Sequence, residues 1–229
     1  MNKHNSIFNW SGGKDSTLAL HYILQNPNFD IRYLLTTVNE TYNRVSMHGV
    51  RESLLIAQTD RIGIPLHQVR LPESPDMKMY EEQMNHHLML LKAEGITHSI
   101  FGDLFLEDLK AYREKKLAEI GMEAIFPLWK RDTTEILNEF ISLGYKTIVV
   151  AAKEGLEDFC GRIIDETFLI DLPDGIDPCG ENGEFHTFVF DGPIFETPID
   201  FTLGEKVFKT YPSPVGDGTT GYWYIDLLD

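Results

Sequence analysis

The feature that most restricts this chain is an alternation. Strand-sized apolar runs take turns with segments of helical period through the first two-thirds of the sequence. Residues 6–10, 31–38, 66–71, 98–101, 124–126 and 145–152 have the length and composition of strands. Between them, residues 14–25, 48–62, 77–93, 106–120 and 133–143 place apolar side chains at helical spacing, as at Val50, Leu54, Ala57 and Ile62. Gly63, Gly95, Gly121 and Gly144 follow these segments, where a left-handed residue commonly ends a helix. Parallel strands need crossovers of a dozen or more residues, usually helical, whereas antiparallel strands do not. The pattern therefore predicts an α/β fold, with a doubly wound, mostly parallel Rossmann-like sheet covered on both faces. Such sheets bind ligands beyond the carboxyl ends of their strands. That points to the loops at 11–16, 36–40 and 102–103.

The pattern changes after residue 152. Residues 171–183, rich in Asp, Pro, Gly and Glu, read as loop; 185–190 are aromatic and β-like; and 221–228 read as a last strand. This predicts a smaller C-terminal α+β region with a soft boundary at 127–131, hence units 1–128 and 129–229.

The net charge of −16, from 36 acidic and 20 basic residues, works against a nucleic-acid partner, because that affinity comes largely from Lys and Arg displacing counterions. The longest apolar run, residues 147–152, is far short of a membrane span, and no membrane partner is expected. The first residues lack a secretory pattern, and Cys160 and Cys179 form no Cys-x-x-Cys pair, so a reducing cytoplasm is expected. A homodimer is compatible with all of this.

Ser11-Gly12-Gly13-Lys14-Asp15-Ser16 lies between the first strand and the first helix. Gly12 and Gly13 can adopt positive φ, turning backbone N–H groups inward as an anion nest. The helix that follows aims its dipole at the same point, Lys14 adds a compact charge, and the serine hydroxyls can donate to phosphate oxygens. Asp15 suits a magnesium-bound phosphate. A Walker A loop is excluded, because Phe8 stands where its first glycine belongs. Gly216-Asp217-Gly218-Thr219-Thr220-Gly221 matches the dinucleotide-binding string but leaves no room for a βαβ unit, and reads as a turn.

The Ser-Gly-Gly-Lys-Asp-Ser loop resembles that of the PP-loop ATP pyrophosphatases. Pro127-Leu128-Trp129, the string Gly161-Arg162-Ile163-Ile164-Asp165-Glu166, the run from Cys179 to Phe188 and Asp191-Gly192-Pro193-Ile194-Phe195 extend the resemblance, in order, to the diphthine–ammonia ligase family. Such proteins adenylate a carboxyl or carbonyl oxygen, release pyrophosphate and let a nitrogen or sulfur nucleophile displace AMP. The resemblance implies a PP-loop fold, with ATP and Mg2+ as cofactors. Where family members that make diphthamide carry a Tyr-Gln-Arg-type stretch, this chain has Leu109-Lys110-Ala111-Tyr112-Arg113-Glu114, which looks more like the bacterial branch. The partners implied are ammonia and a small-molecule or protein carboxylate.

On this reading ATP lies along Trp10, Ser11, Gly12, Gly13, Lys14, Asp15 and Ser16, with the adenine near Trp10 and Thr36, Thr37 and Val38, and with Gly102 and Asp103 beside it. Asp15 and Asp103 are the candidate magnesium ligands; for Asp103 a helix-capping role competes. Glu181-Asn182-Gly183-Glu184-Phe185-His186 forms a second, carboxylate-rich site. If a strand begins at Glu184, that residue shares one face with His186. The resemblance implies that Lys14, Asp15, Glu181 and Glu184 are catalytic and that Asn182 and His186 face the substrate. Arg162 could bind a carboxylate or phosphate through its planar fork, with a surface ion pair the competing reading. His48 lies where related proteins carry a Tyr-x-x-His-type segment, and substrate or phosphate is its expected contact. Adenylation of a different small molecule and a non-catalytic ATP sensor remain the rival readings.

Overall fold

The computed structural model describes residues 3–46, 48–212 and 218–229. In chain order the elements are β1 (His4–Asn9), α1 (Lys14–Leu24), β2 (Phe29–Asn39), β3 (Arg44–Val45), α2 (Glu52–Ile62), β4 (Leu66–Leu71), α3 (Met77–Ala93), β5 (His98–Ile100), α4 (Glu107–Glu119), β6 (Glu123–Ile125), α5 (Thr133–Ser142), β7 (Lys146–Lys153), α6 (Phe168–Asp171), β8 (Phe185–Asp191), β9 (Thr202–Pro212) and β10 (Thr219–Leu228).

Five parallel strands and the short antiparallel β3 form a six-stranded sheet. β1 lies between β2 and β5, β4 pairs with the far side of β2, and β6 pairs with β5. The chain thus builds outward from β1 through β2 to β4, then crosses back to β5 on the other side. This leaves a switch point between β1 and β5, where such sheets bind ligands. Alternation along β1 sends Ile7 to one face and Phe8 to the other. On the Ile7 side α3 and α4 contribute Leu88, Leu91 and Leu117; on the Phe8 side α1 and α2 contribute Leu18, Leu20, Leu54 and Leu55.

The run at 145–152, expected in the parallel sheet, goes elsewhere. As β7 it joins a second, antiparallel sheet of order β8-β7-β10-β9. Its periodicity matches a buried strand in either setting, so local pattern does not distinguish them. Two strands had no expected counterpart, the two-residue β3 and the long edge strand β9. Residues 48–51 were expected to be helical, but they form a turn, and α2 starts at Glu52. Gly216 and Asp217 lie outside the described residues, while Thr219 to Gly221 run into β10. No helix among the described residues is long and apolar enough to cross a membrane.

Local chemistry sets several ends. Asp76 caps α3 by accepting from the Met79 N–H at 2.7 Å, and Asp132 caps α5 through the Glu135 N–H at 3.0 Å. Gly63 ends α2 with φ 75°, and its N–H returns to the Thr59 carbonyl.

One buried side chain ties the two sheets together. The Gln58 amide on α2 donates to the Gly12 carbonyl at 2.9 Å and to the Val189 carbonyl on β8 at 2.6 Å. Its oxygen accepts the Trp10 indole N–H at 3.0 Å, and the Val189 N–H returns to the Gly12 carbonyl at 2.9 Å. Gln58 is fully buried, so each bond lost leaves a dry polar group unpaired. Replacing Gln58 by Leu should therefore cost about 2–4 kcal/mol in folding free energy, whereas Gln58→Glu at low pH should cost less. Chemical denaturation of the two variants checks this.

Candidate active site

The first turn after β1 is shaped by one residue. Gly12 has φ 77°, a left-handed conformation, while Gly13 is extended at φ −90° and forms the N-cap of α1. Only one of the two glycines thus uses the positive φ expected of both. The turn reverses the chain so that Ser11 and Ser16 meet, with their hydroxyl oxygens 3.0 Å apart, and Ser11 Oγ also accepts the Gly13 N–H at 3.3 Å. Ser16 and Thr17 both donate to the Gly13 carbonyl at 2.9 Å, which locks the turn to the helix. From the second sheet, Thr187 Oγ1 accepts the Lys14 N–H at 3.0 Å.

The loop after β5 comes down on this turn. A Cβ on Gly102 would stand 2.9 Å from the Ser16 backbone nitrogen and 3.0 Å from the Asp15 carbonyl carbon, so a side chain there would push the two loops apart.

These pieces enclose a cleft of about 470 Å³ at the switch point, within the range of small-molecule sites. Ser11, Gly13, Lys14, Asp15 and Ser16 form its base, with Trp10, Thr36 and Thr37 on the β1–β2 side and Gly102 and Asp103 on the β5 side. Glu181, His48 and His186 complete the expected set. Trp10 is 2% exposed and its indole N–H is taken by Gln58. Gly12 and Val38 support the cleft from behind and do not line it.

Three expected substrate-side residues serve other ends. Arg162 lies outside the cleft lining, where it pairs with Asp171 at 2.6 Å and donates to Thr167 at 2.8 Å, so its charge is already matched. Glu184 precedes β8 in a turn and faces inward: it accepts from the Asn182 backbone at 2.9 Å, from the Asn182 amide at 3.1 Å and from the Asp177 backbone at 3.3 Å. Glu184 and Asn182 therefore brace the 177–185 loop and are absent from the cleft lining. The expected strand face shared by Glu184 and His186 does not form, because the strand begins one residue later.

The cleft concentrates charge away from water. Lys14 is 3% exposed; its ammonium contacts Asp15 Oδ2 at 2.8 Å and the Cys179 carbonyl, and lies over the Phe185 ring. Burial works against its charged form, but Asp15 and the neighbouring Cys179 and Glu181 together outweigh it and its pKa is raised. Asp103, paired with Arg113 at 3.1 Å, is pushed up by burial and by Asp15 against the pull of that arginine. Glu181 accepts the Leu104 N–H at 3.0 Å and is pushed up to about 7, first by burial and then by Asp15. Burial also raises the Cys179 thiol well above its ordinary range, so this cysteine contributes its carbonyl and not a thiolate.

Two carboxylate oxygens stand out. Asp15 Oδ1 and Asp103 Oδ2 are buried and have no hydrogen-bond partner. Buried carboxylate oxygens without partners are costly, and an oxygen-only pair lining one cleft fits a hard cation held jointly with phosphates. Among the described residues, no group of three or more His, Cys, Asp or Glu side chains could hold a metal alone, so the phosphates would have to complete the shell. Sequence reasoning missed Gln58, Thr187, Arg113 and Tyr80. The last two line the cleft from α4 and α3, and Arg113 stacks 4.3 Å from the Phe101 centroid.

Because Glu181 is easier to protonate in the folded state than in the unfolded chain, folding loses stability as pH rises from the ordinary glutamate range to about 7. In metal-free buffer, Glu181→Gln should match the parent near pH 4 and exceed it at pH 8 by on the order of 1–3 kcal/mol. Denaturant titration at the two pH values checks this.

Comparison with known proteins agrees with the geometry. The model of the diphthamide synthase N-terminal domain matches residues 4–124, and that of the C-terminal domain matches residues 132–213. The diphthine–ammonia ligase of Homo sapiens is 29% identical over 137 residues, 56% of this chain and 51% of that protein. The diphthine–ammonia ligase of Danio rerio is 30% identical over 145 residues, 59% of this chain and 57% of that one. The chain thus spans about half the length of the curated relatives it matches. A U34-tRNA thiolase structure from Methanococcus maripaludis aligns with TM-score 0.39 at 21% identity, covering 63% of this chain and 58% of that one, too distant to carry an argument. With family models matching in order along both parts of the sequence, the chain belongs to the diphthamide synthase family.

Proposed function

We propose that this protein is an ATP-dependent ligase that activates a carboxylate as its adenylate, releases pyrophosphate and transfers ammonia to form an amide. The observation that carries the reading is the base of the cleft. There a left-handed glycine turn, a helix N-terminus, a buried lysine and two unpartnered carboxylate oxygens line one cleft. The relatives named diphthine–ammonia ligase support the same reaction class.

In this reading the β- and γ-phosphates lie against residues 11–16. Lys14 cannot swing freely, because Asp15 and the Cys179 carbonyl hold its ammonium; it offers a fixed positive charge that needs no reorganisation during the reaction. Asp15 and Asp103 would hold magnesium, which offsets the charge developing on the departing pyrophosphate. Thr36 and Thr37 line the side on which the nucleoside would rest. The acceptor carboxylate then meets the α-phosphorus from the side of Glu181 and the two histidines. Glu181 ionises once a cation offsets Asp15 and Asp103, which couples its charge to the loaded state. The acceptor is a carboxylate on a small molecule or a protein. We place the enzyme in the cytoplasm, as a homodimer or a monomer.

The test is product analysis with MgATP, ammonium and a bacterial cell extract. AMP with pyrophosphate, dependent on the extract, is the expected outcome; ADP with phosphate would overturn the reading. Lys14→Met should lower AMP formation by about 10²–10³-fold while circular dichroism stays native. Asp15→Asn and Asp103→Asn should each raise the magnesium concentration needed for half-maximal rate, and an unchanged requirement in both would remove them as ligands.

A further inference from the structure

One residue of the cleft presents a chemical asymmetry that the phosphate site does not use. His48 lies in the turn before α2, and its Nδ1 is 3.2 Å from the Thr187 carbonyl. A carbonyl oxygen can only accept, so Nδ1 carries the proton and Nε2 carries a lone pair. The ring abuts the phosphate loop: a Cβ on Gly13 would meet His48 Cε1, the carbon between its two nitrogens, at 3.0 Å. The His186 ring from β8 lies 4.7 Å away, tilted by 34°. Burial, helped by the Lys14 charge, lowers His48 to about 4. Burial, helped by His48 and Lys14, lowers His186 to about 3, so both rings are neutral.

An Nε2 lone pair repels phosphate oxygens and attracts N–H groups. Among the other proton acceptors of the cleft, the His186 ring packs against the His48 ring, so the comparison turns on the carboxylates. Asp15 and Asp103 present their free oxygens to a cation, and Glu181 is tied to the Leu104 N–H.

We infer that His48 Nε2 receives the nitrogen nucleophile, ammonia, and takes its surplus proton. This rests on the ligase reading above and names the residue that completes its second half. The ammonia lone pair attacks the acyl carbon, forming C–N. The C–O bond to the adenylate phosphate breaks, and its electron pair leaves on AMP. One N–H proton passes to His48 Nε2, giving an imidazolium whose Nδ1–H stays on the Thr187 carbonyl, and then passes to water. Of the two contacts expected for His48 from the sequence, substrate or phosphate, this inference takes the substrate one.

The test uses the full chain with 15N-labelled histidine, loaded with magnesium and an ATP analogue carrying a methylene α,β-bridge. The expected result is a protonated Nδ1 and a bare Nε2 at His48, with an Nε2 signal that ammonium chloride moves saturably and tetramethylammonium chloride does not. The response should persist in His186→Phe and vanish in His48→Phe. A bare Nδ1, or equal responses to the two salts, overturns the assignment. An Nε2 signal that the nucleotide alone moves and ammonium does not overturns it as well, placing a nucleotide hydroxyl or amine there. In a uniformly 15N-labelled sample, amide signals of residues 11–16 that ignore the nucleotide would overturn the ligase reading and this inference together.

Discussion

The structure hangs on the Gly12 carbonyl. A strand that must reverse into a helix within a few residues, leaving N–H groups facing a ligand, necessarily turns a carbonyl the other way, toward the protein interior. That group needs partners in a dry place. Here they are the Gln58 side chain from α2 and the Val189 N–H from β8. The turn at 11–16 is therefore not a property of β1 and α1 alone. Its conformation is held by a strand from the other sheet, and the same strand caps the first N–H of α1 through Thr187 and carries His186. The 11–16 turn and His186 share one structural member.

Electrostatics follow from that packing. Because β8 and the 177–185 loop close over α1, Lys14 is buried, and burial's pull against its charge is outweighed by Asp15 together with the other groups around it. The same enclosure pushes Glu181 and Asp103 up and both histidines down. The cleft is thus divided by charge. Carboxylates with open oxygens lie toward the β5 loop, and neutral imidazoles lie toward β8. This separation suits a reaction whose first half moves charge on phosphates and whose second half moves a proton on nitrogen.

What the sequence reveals depends on how local the determining physics is. The bounds of α3 coincide with the expected segment, and those of α1 and α5 fall close to it, since periodicity, caps and glycine ends are local signals. The turn at 11–16 was legible for the same reason, as one short run of residue types. Sheet membership was not: β7 looks like any buried strand, and only its pairing with β8 and β10 assigns it. Glu184 shows the same limit at the site. Two positions from His186, it read as a strand neighbour, yet the turn at Gly183 directs it into the 177–185 loop. Gln58 carries no motif at all, because its role comes from partners 46 and 131 residues away.

A crystal structure with magnesium and an ATP analogue resistant at the α,β-bridge tests the central claim most directly. The account predicts β- and γ-phosphates against residues 11–16, magnesium reaching both Asp15 and Asp103, and the Gln58 bonds to Gly12 and Val189 intact. Phosphates bound elsewhere, or a loop that must break from Gln58 to hold them, would contradict it.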